Sequence, residues 1–179
     1  LTAEQLKMLL DEINYPISEF TVECGRPDTI TEEKLKVLKN YGVTRISINP
    51  QTFSLKTLKI ICRKHSIKEV LEVYKLALKY DFTVNMDFIA GLPGEKLPTF
   101  KKNIDTVLEL SPDNVTVHTL SIKHGSILFN NPPDTEKNVA KMVDYAYSKL
   151  TADGYLPYYM YRQKNQIEGL ENVGYSKKG

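Results

Sequence analysis

Four side chains able to bind a polar ligand or handle protons fall at or just past the carboxyl ends of four strand-like segments. They are Glu23, Gln51, Asp87 and Ser121. A carboxylate at Glu23 or Asp87 can accept hydrogen bonds from ribose hydroxyls or an ammonium group. The Gln51 amide both donates and accepts, which suits a nucleoside or an amino-acid carboxylate. Open α/β folds and barrels bind their ligands at the carboxyl ends of the parallel strands. In a filled barrel these groups would instead satisfy one another or hold water. Four converging strand ends favour a ligand over that arrangement.

Other residues carry chemistry less specifically. Arg63, in Cys62-Arg63-Lys64-His65, could clamp a carboxylate in bidentate fashion or be an ordinary surface arginine. His118 lies in the polar phase of its strand, where a satisfied core histidine is the commoner outcome; His65 and His124 read as loop residues with no evident partner. Gly91-Leu92-Pro93-Gly94 could let the backbone approach a ligand or adopt positive φ, or be a plain strand-to-helix turn. It is no phosphate loop, because G-x-x-x-x-G-K-[ST] is absent. Tyr158, Tyr159 and Tyr161 could stack on a flat ring or pack an aromatic strand onto its own core. No spacing assigns a catalytic residue: Cys62 and His65 share one short loop without an orienting acid.

The segments that must position these groups alternate with period two. Glu19 to Gly25 sets Phe20, Val22 and Cys24 against Thr21 and Glu23. Thr44 to Gln51 sets Ile46 and Ile48 against Arg45, Ser47, Asn49 and Gln51. Phe82 to Ile89 sets Val84, Met86 and Phe88 against Thr83, Asn85 and Asp87. Asn114 to Ser121 sets Val115, Val117 and Thr119 against Thr116 and His118. Parallel strands covered on both faces read as continuous apolar runs. Here one face meets helices and the other something polar, as in an open barrel with a polar lumen.

Helices are expected between the strands. Thr2 with Gln5 and Ser66 with Glu69 fit capping boxes, opening helices over Thr2 to Ile13 and from Ser66 onward; Thr31 is a good N-cap before Glu32 and Glu33. Apolar stripes run through Leu35, Leu38 and Tyr41, through Val70, Val73, Tyr74, Ala77 and Leu78, and through Phe100, Ile104, Val107 and Leu108. Four strand–helix alternations imply right-handed βαβ units and a parallel sheet. After Gly125 the rhythm changes to a loop over Asn130 to Pro133. Next come a helix bearing Val139, Met142, Val143, Ala146, Tyr147 and Leu150, a cap at Gly154, and an extended Tyr155 to Gln163.

Bulk properties narrow the function classes. With 179 residues, one domain or a domain plus an extension is expected. The 24 basic and 22 acidic side chains leave a net charge of +2 and no cluster beyond Lys177 and Lys178, which argues against a nucleic-acid surface. Two cysteines separated by 37 residues, with no C-x-x-C, form no zinc or iron–sulfur ligand set and read as free thiols of a cytoplasmic protein. No apolar run reaches the ~18 residues of a membrane span, and no signal peptide opens the chain.

Three segments carry a family resemblance. Thr21-Val22-Glu23-Cys24-Gly25-Arg26-Pro27-Asp28, Arg45-Ile46-Ser47-Ile48-Asn49-Pro50-Gln51-Thr52-Phe53 and Asn85-Met86-Asp87-Phe88-Ile89-Ala90-Gly91-Leu92-Pro93-Gly94 resemble radical SAM enzymes of the oxygen-independent coproporphyrinogen III oxidase group. Tyr161 to Asn165 and Glu171 to Tyr175 resemble its coproporphyrinogen dehydrogenase branch. The resemblance implies that Glu23, Gln51, Arg63, Asp87 and Ser121 contact S-adenosylmethionine. It implies a [4Fe–4S] cluster, reductive cleavage to a 5′-deoxyadenosyl radical, and oxidative decarboxylation of porphyrinogen propionates in haem biosynthesis. Relatives that handle haem as trafficking or chaperone proteins share the same region, so porphyrinogen or haem is the expected small-molecule partner.

The family's C-x-x-x-C-x-x-C loop is absent from this sequence, and Leu1 and Gly179 both look like cut ends. The expected architecture is therefore about four of the six strands of a partial parallel (β/α) barrel over residues 1–125, followed by the start of a C-terminal extension over 126–179. Such a piece alone is expected to be inactive, and the edge of its first strand is a candidate for pairing with another chain.

Overall fold

The computed structural model describes residues 1–122 and 138–177. The expected domain boundary at 125, His124 and the loop at Asn130 to Pro133 lie outside them.

Four parallel strands form one side of a six-stranded sheet: β1 (Thr21–Val22), β2 (Arg45–Gln51), β3 (Thr83–Ala90) and β4 (Asn114–Thr119). An antiparallel pair completes it. β6 (Asn172–Lys177) lies beside β4, and β5 (Tyr155–Tyr161) pairs β6 from the outside, giving the order β1-β2-β3-β4-β6-β5. The parallel half and its alternation match the sequence expectation. The aromatic segment is the strand β5, whereas β6 was not anticipated.

Helices α1 (Ala3–Asp11), α2 (Glu32–Asn40), α3 (Leu55–Ile60), α4 (Ile67–Lys79), α5 (Leu97–Leu110) and α6 (Val139–Ala152) accompany the strands. Both capping boxes form, Thr2 with Gln5 and Ser66 with Glu69, and Thr31 caps α2. One apolar core joins Leu10, Leu35, Leu38, Val70, Ala77, Phe100, Ile104, Val107 and Met142 of the helices to Ile46, Ile48, Val84, Met86, Phe88, Val115 and Val117 of the strands. β3 shows the alternation in full, with Val84, Met86, Phe88 and Ala90 buried and Thr83, Asn85, Asp87 and Ile89 half-buried.

Several expectations need correction. β1 is two residues long rather than seven, although its backbone follows β2 further: Thr44 N donates to Phe20 O at 2.9 Å and Asn49 N to Gly25 O at 2.9 Å. At the sheet edge, with a ladder on one side only, β1 holds little regular pairing. Leu78 is 50% exposed and Tyr147 52% exposed, off the buried stripes of α4 and α6. Asn103 joins Phe100, Ile104 and Val107 in the buried stripe of α5. Helix α3, only six residues long, is opened by the Ser54 side chain, which accepts from Thr57 N, and anchored by the buried Leu58.

Two close approaches depend on glycine. Gly91 and Gly94 take φ of +84° and +71°, and a Cβ on Gly94 would lie 2.8 Å from Ile60 Cδ1. These glycines serve the turn and its packing on α3 and α6. Gly174 has an ordinary φ, yet a Cβ there would lie 2.0 Å from Tyr159 Cε1: the tyrosine ring lies directly on the β6 backbone.

Two expectations follow for unfolding in urea. Phe88→Ala removes a fully buried ring that meets Phe53 edge-on at 5.2 Å, and should cost about 3–5 kcal/mol, whereas Leu78→Ala should stay within about 0.5 kcal/mol. Gly174→Ala should cost about 1–3 kcal/mol through overpacking, and most of that loss should vanish in a Tyr159→Ala background, a non-additivity read from the double-mutant cycle.

Candidate functional site

The polar face of the sheet is knit by its own side chains. Ser47 Oγ donates to Glu23 Oε2 at 2.6 Å, Thr116 Oγ1 to Asn85 Oδ1 at 3.0 Å, and Asn85 Nδ2 to Asp87 Oδ1 at 2.7 Å. His118 Nε2 lies 3.5 Å from Asp87 Oδ2, and its Nδ1 lies 3.4 Å from the Tyr161 hydroxyl. The register explains the contacts between β3 and β4: Asp87 stands opposite Thr116 and Ile89 opposite His118, so Thr116 leans toward Asn85 and His118 toward Asp87, each two residues from its direct partner.

The tyrosines of β5 cover part of this face. Tyr159 and Tyr161 stack at 6.0 Å between ring centroids, and Tyr158 meets Tyr159 edge-on at 4.8 Å. Tyr155 alone is buried in the core, its hydroxyl donating to Pro112 O at 2.5 Å; the other three are half open to solvent rather than packed in the core.

A cavity of about 250 Å³ opens at the carboxyl ends of β2 and β4, lined among others by Gln51, Ile89, His118, Ser121, Gln163 and Asn172. Its walls are set by hydrogen bonds. Ser121 Oγ donates to Lys164 O at 2.8 Å, Gln166 Nε2 donates to Asn172 Oδ1 at 2.6 Å, and the same oxygen accepts from Thr119 N at 2.8 Å. Gln51 is buried, and its Oε1 has no hydrogen-bond partner among the described residues. A buried acceptor in that state costs free energy that a ligand donor would recover.

Gln51 and Ser121 therefore meet at one cavity, and Asp87 reaches it through His118. Glu23 lies further along the sheet edge, where it and Cys24 line an apolar cavity of about 340 Å³ between α1, β1 and α2. Arg63, half-buried after α3, makes no side-chain hydrogen bond or ion pair among the described residues. Cys24 and Cys62 are both free, and burial pushes the Cys24 thiol up to about 12, so it is not a thiolate at neutral pH. The described residues contain no group of three His, Cys, Asp or Glu able to hold a metal ion, so they do not fit an iron–sulfur cluster. None of their helices is long and apolar enough to cross a membrane.

Three residues that shape the site have no functional reading in the sequence. His65 is buried, not a free loop residue, and its Nε2 lies 3.2 Å from Pro50 O. Glu95 is buried and accepts from Thr52 Oγ1 at 2.5 Å and from Asn103 Nδ2 at 3.1 Å; desolvation raises its pKa. A polar residue within the apolar stripe of α5 marks Asn103, whereas nothing local marks His65 or Glu95.

A family model described as the radical SAM superfamily matches residues 2–107. The oxygen-independent coproporphyrinogen-III oxidase-like protein HemZ of Bacillus subtilis is 44% identical over 190 residues, covering 100% of this chain and 38% of the relative. The heme chaperone HemW of Bacillus subtilis is 33% identical over 191 residues, covering 98% of this chain and 50% of the relative. The chain thus spans half or less of these relatives' lengths. In the solved structure of the radical SAM enzyme coproporphyrinogen III oxidase (HemN) from Escherichia coli, the same fold recurs with a TM-score of 0.80 at 20% identity, over 99% of this chain and 40% of that one. The one-sided parallel sheet, the polar groups at its strand ends and the match across residues 2–107 agree: the chain belongs to the radical SAM superfamily.

Proposed function

We propose that this chain supplies the S-adenosylmethionine-binding part of an oxidoreductase that decarboxylates porphyrinogen propionates. The observation that carries the cofactor reading is Gln51, which lines a polar cavity with Ser121 and His118 and whose buried Oε1 has no hydrogen-bond partner among the described residues. S-adenosylmethionine offers the donors this oxygen needs, in its ribose hydroxyls, its adenine amine and its ammonium group. It would supply hydrogen-abstracting radical chemistry only beside an iron–sulfur cluster held by residues other than those described.

The chain's own residues would orient it. Gln51 accepts from a nucleoside or ammonium donor. Asp87, fixed by Asn85 and facing His118, offers its remaining lone pairs to a hydroxyl or ammonium. Ser121 presents a hydroxyl whose direction is set by Lys164 O. Glu23 and Arg63 would act from the adjoining strand end and loop, Arg63 with its guanidinium free to meet a carboxylate. The substrate class rests on the 44% identity to the coproporphyrinogen-III oxidase-like relative.

A haem-handling role is the second reading. It is favoured by the 33% identity to a heme chaperone and by the half-exposed stacked tyrosines of β5, which offer flat apolar surface.

Calorimetric titration with S-adenosylmethionine tests the cofactor assignment. Gln51→Ala should weaken binding about three- to tenfold, and Asp87→Ala, which removes a charged acceptor, about ten- to a hundredfold. Equal heats for all three proteins would remove the assignment. The full-length protein, reconstituted without oxygen, separates the two activities: carbon dioxide released from coproporphyrinogen III supports the oxidoreductase, and haem binding without release supports the chaperone.

A further inference from the structure

β2 does not run straight to its end. Ile48 stands opposite Met86 and Gln51 opposite Phe88, so β2 carries one residue more than β3 across this stretch. Such a bulge re-aims the side chain that follows it. Here that side chain is Gln51, whose φ of +66° is in the left-handed region that a non-glycine residue enters only when its surroundings enforce it.

The surroundings are two buried side chains on opposite flanks of the bulge. On one, His65 Nε2 lies 3.2 Å from Pro50 O. A carbonyl only accepts, so this nitrogen carries the proton, and burial, which lowers the His65 pKa, keeps the ring neutral. On the other flank Glu95 receives Thr52 Oγ1 and Asn103 Nδ2. Asn103 Nδ2 also donates to Thr52 Oγ1 at 3.0 Å, while its Oδ1 accepts from Phe53 N at 3.1 Å; Ser54 N donates to Thr52 Oγ1 at 2.9 Å. Every residue from Pro50 to Ser54 except Gln51 is thus tied by this clamp. Gln51 lines the cavity and has its Oε1 buried without a partner among the described residues, whereas neither His65 nor Glu95 lines that cavity.

We propose that His65 and Glu95 are positioning residues that lock the β2 bulge between Ile48 and Gln51 and so hold the Gln51 amide in its ligand-binding orientation. This rests on the reading of the cavity as part of the S-adenosylmethionine site.

Two measurements on the full chain test it. Amide hydrogen exchange reads the clamp without ligand: Glu95→Ala should speed exchange at Phe53 and Ser54 about tenfold or more, and Glu95→Gln, which keeps the acceptor oxygen, should not. Unchanged exchange in Glu95→Ala would overturn the clamp. Titration with S-adenosylmethionine reads the coupling. Glu95→Ala and His65→Ala should each weaken binding about three- to tenfold, and adding either to Gln51→Ala should weaken it no further. His65→Gln and Glu95→Gln should restore affinity. Additive losses, or full affinity in the alanine variants while Gln51→Ala is impaired, would overturn the proposal. Indifference of binding to Gln51→Ala would instead overturn the cavity's assignment, and the positioning role with it. Should the alanine variants fail to fold, lost affinity in folded His65→Gln and Glu95→Gln would count against the proposal.

Discussion

The period-two alternation of β2, β3 and β4 is the constraint on which the rest of the structure depends. Because successive side chains point to opposite faces, each strand that buries Ile46, Met86 or Val117 under the helices must present Ser47, Asp87 or His118 on the other side. A one-residue slip in any ladder would send charge into the core and leucine-sized apolar groups into the lumen. The same pattern that makes the fold thus fixes which side can bind a polar molecule. The polar side cannot be left bare either. Its groups are partly buried, in part under the overlying tyrosines, so they pair with one another along a row from Glu23 through Ser47 and from Thr116 through Asn85 to Asp87 and His118.

What the sequence made legible follows from that locality. Alternation, capping boxes and apolar stripes are properties of neighbouring residues, and they located β2, β3, β4, α1, α2, α4, α5 and α6. The elements it hid depend on distant partners. β6 contains Gly174, a poor strand former, and is held because β4 and β5 flank it and Tyr159 fills the place of a side chain. Helix α3 is shorter than an isolated helix could sustain and exists through its Ser54 cap and the burial of Leu58. Simple alternation set Gln51 in line with Arg45, Ser47 and Asn49, whereas the bulge gives it a separate orientation.

The candidate site was legible to a similar degree and for similar reasons. Strand-end position alone marked Gln51, Asp87 and Ser121, and these three converge directly or through His118. Glu23 and Arg63 were marked by resemblance as much as by position, and the fold places them apart from the cavity where the others meet. His65 and Glu95 carried no local signal, because their importance lies in contacts across 15 and 43 positions of sequence, to Pro50 and Thr52.

The distribution of unfavourable features gives the site its strongest physical argument. Of the six buried side-chain atoms without a hydrogen-bond partner among the described residues, four lie on or against the β2 bulge: Asn49 Oδ1, Gln51 Oε1, His65 Nδ1 and Glu95 Oε2. Each such atom costs about 1–3 kcal/mol, and a left-handed non-glycine residue about as much again. A sequence selected for stability alone would spread such defects or remove them, since marginal stability leaves little room for several at one place. Elsewhere the chain follows local rules closely, with reciprocal caps on α1 and α4 and a sealed core beneath β3. Four of six unsatisfied atoms gathered at one strand end, beside a left-handed residue, is the arrangement expected where binding rather than folding sets the geometry.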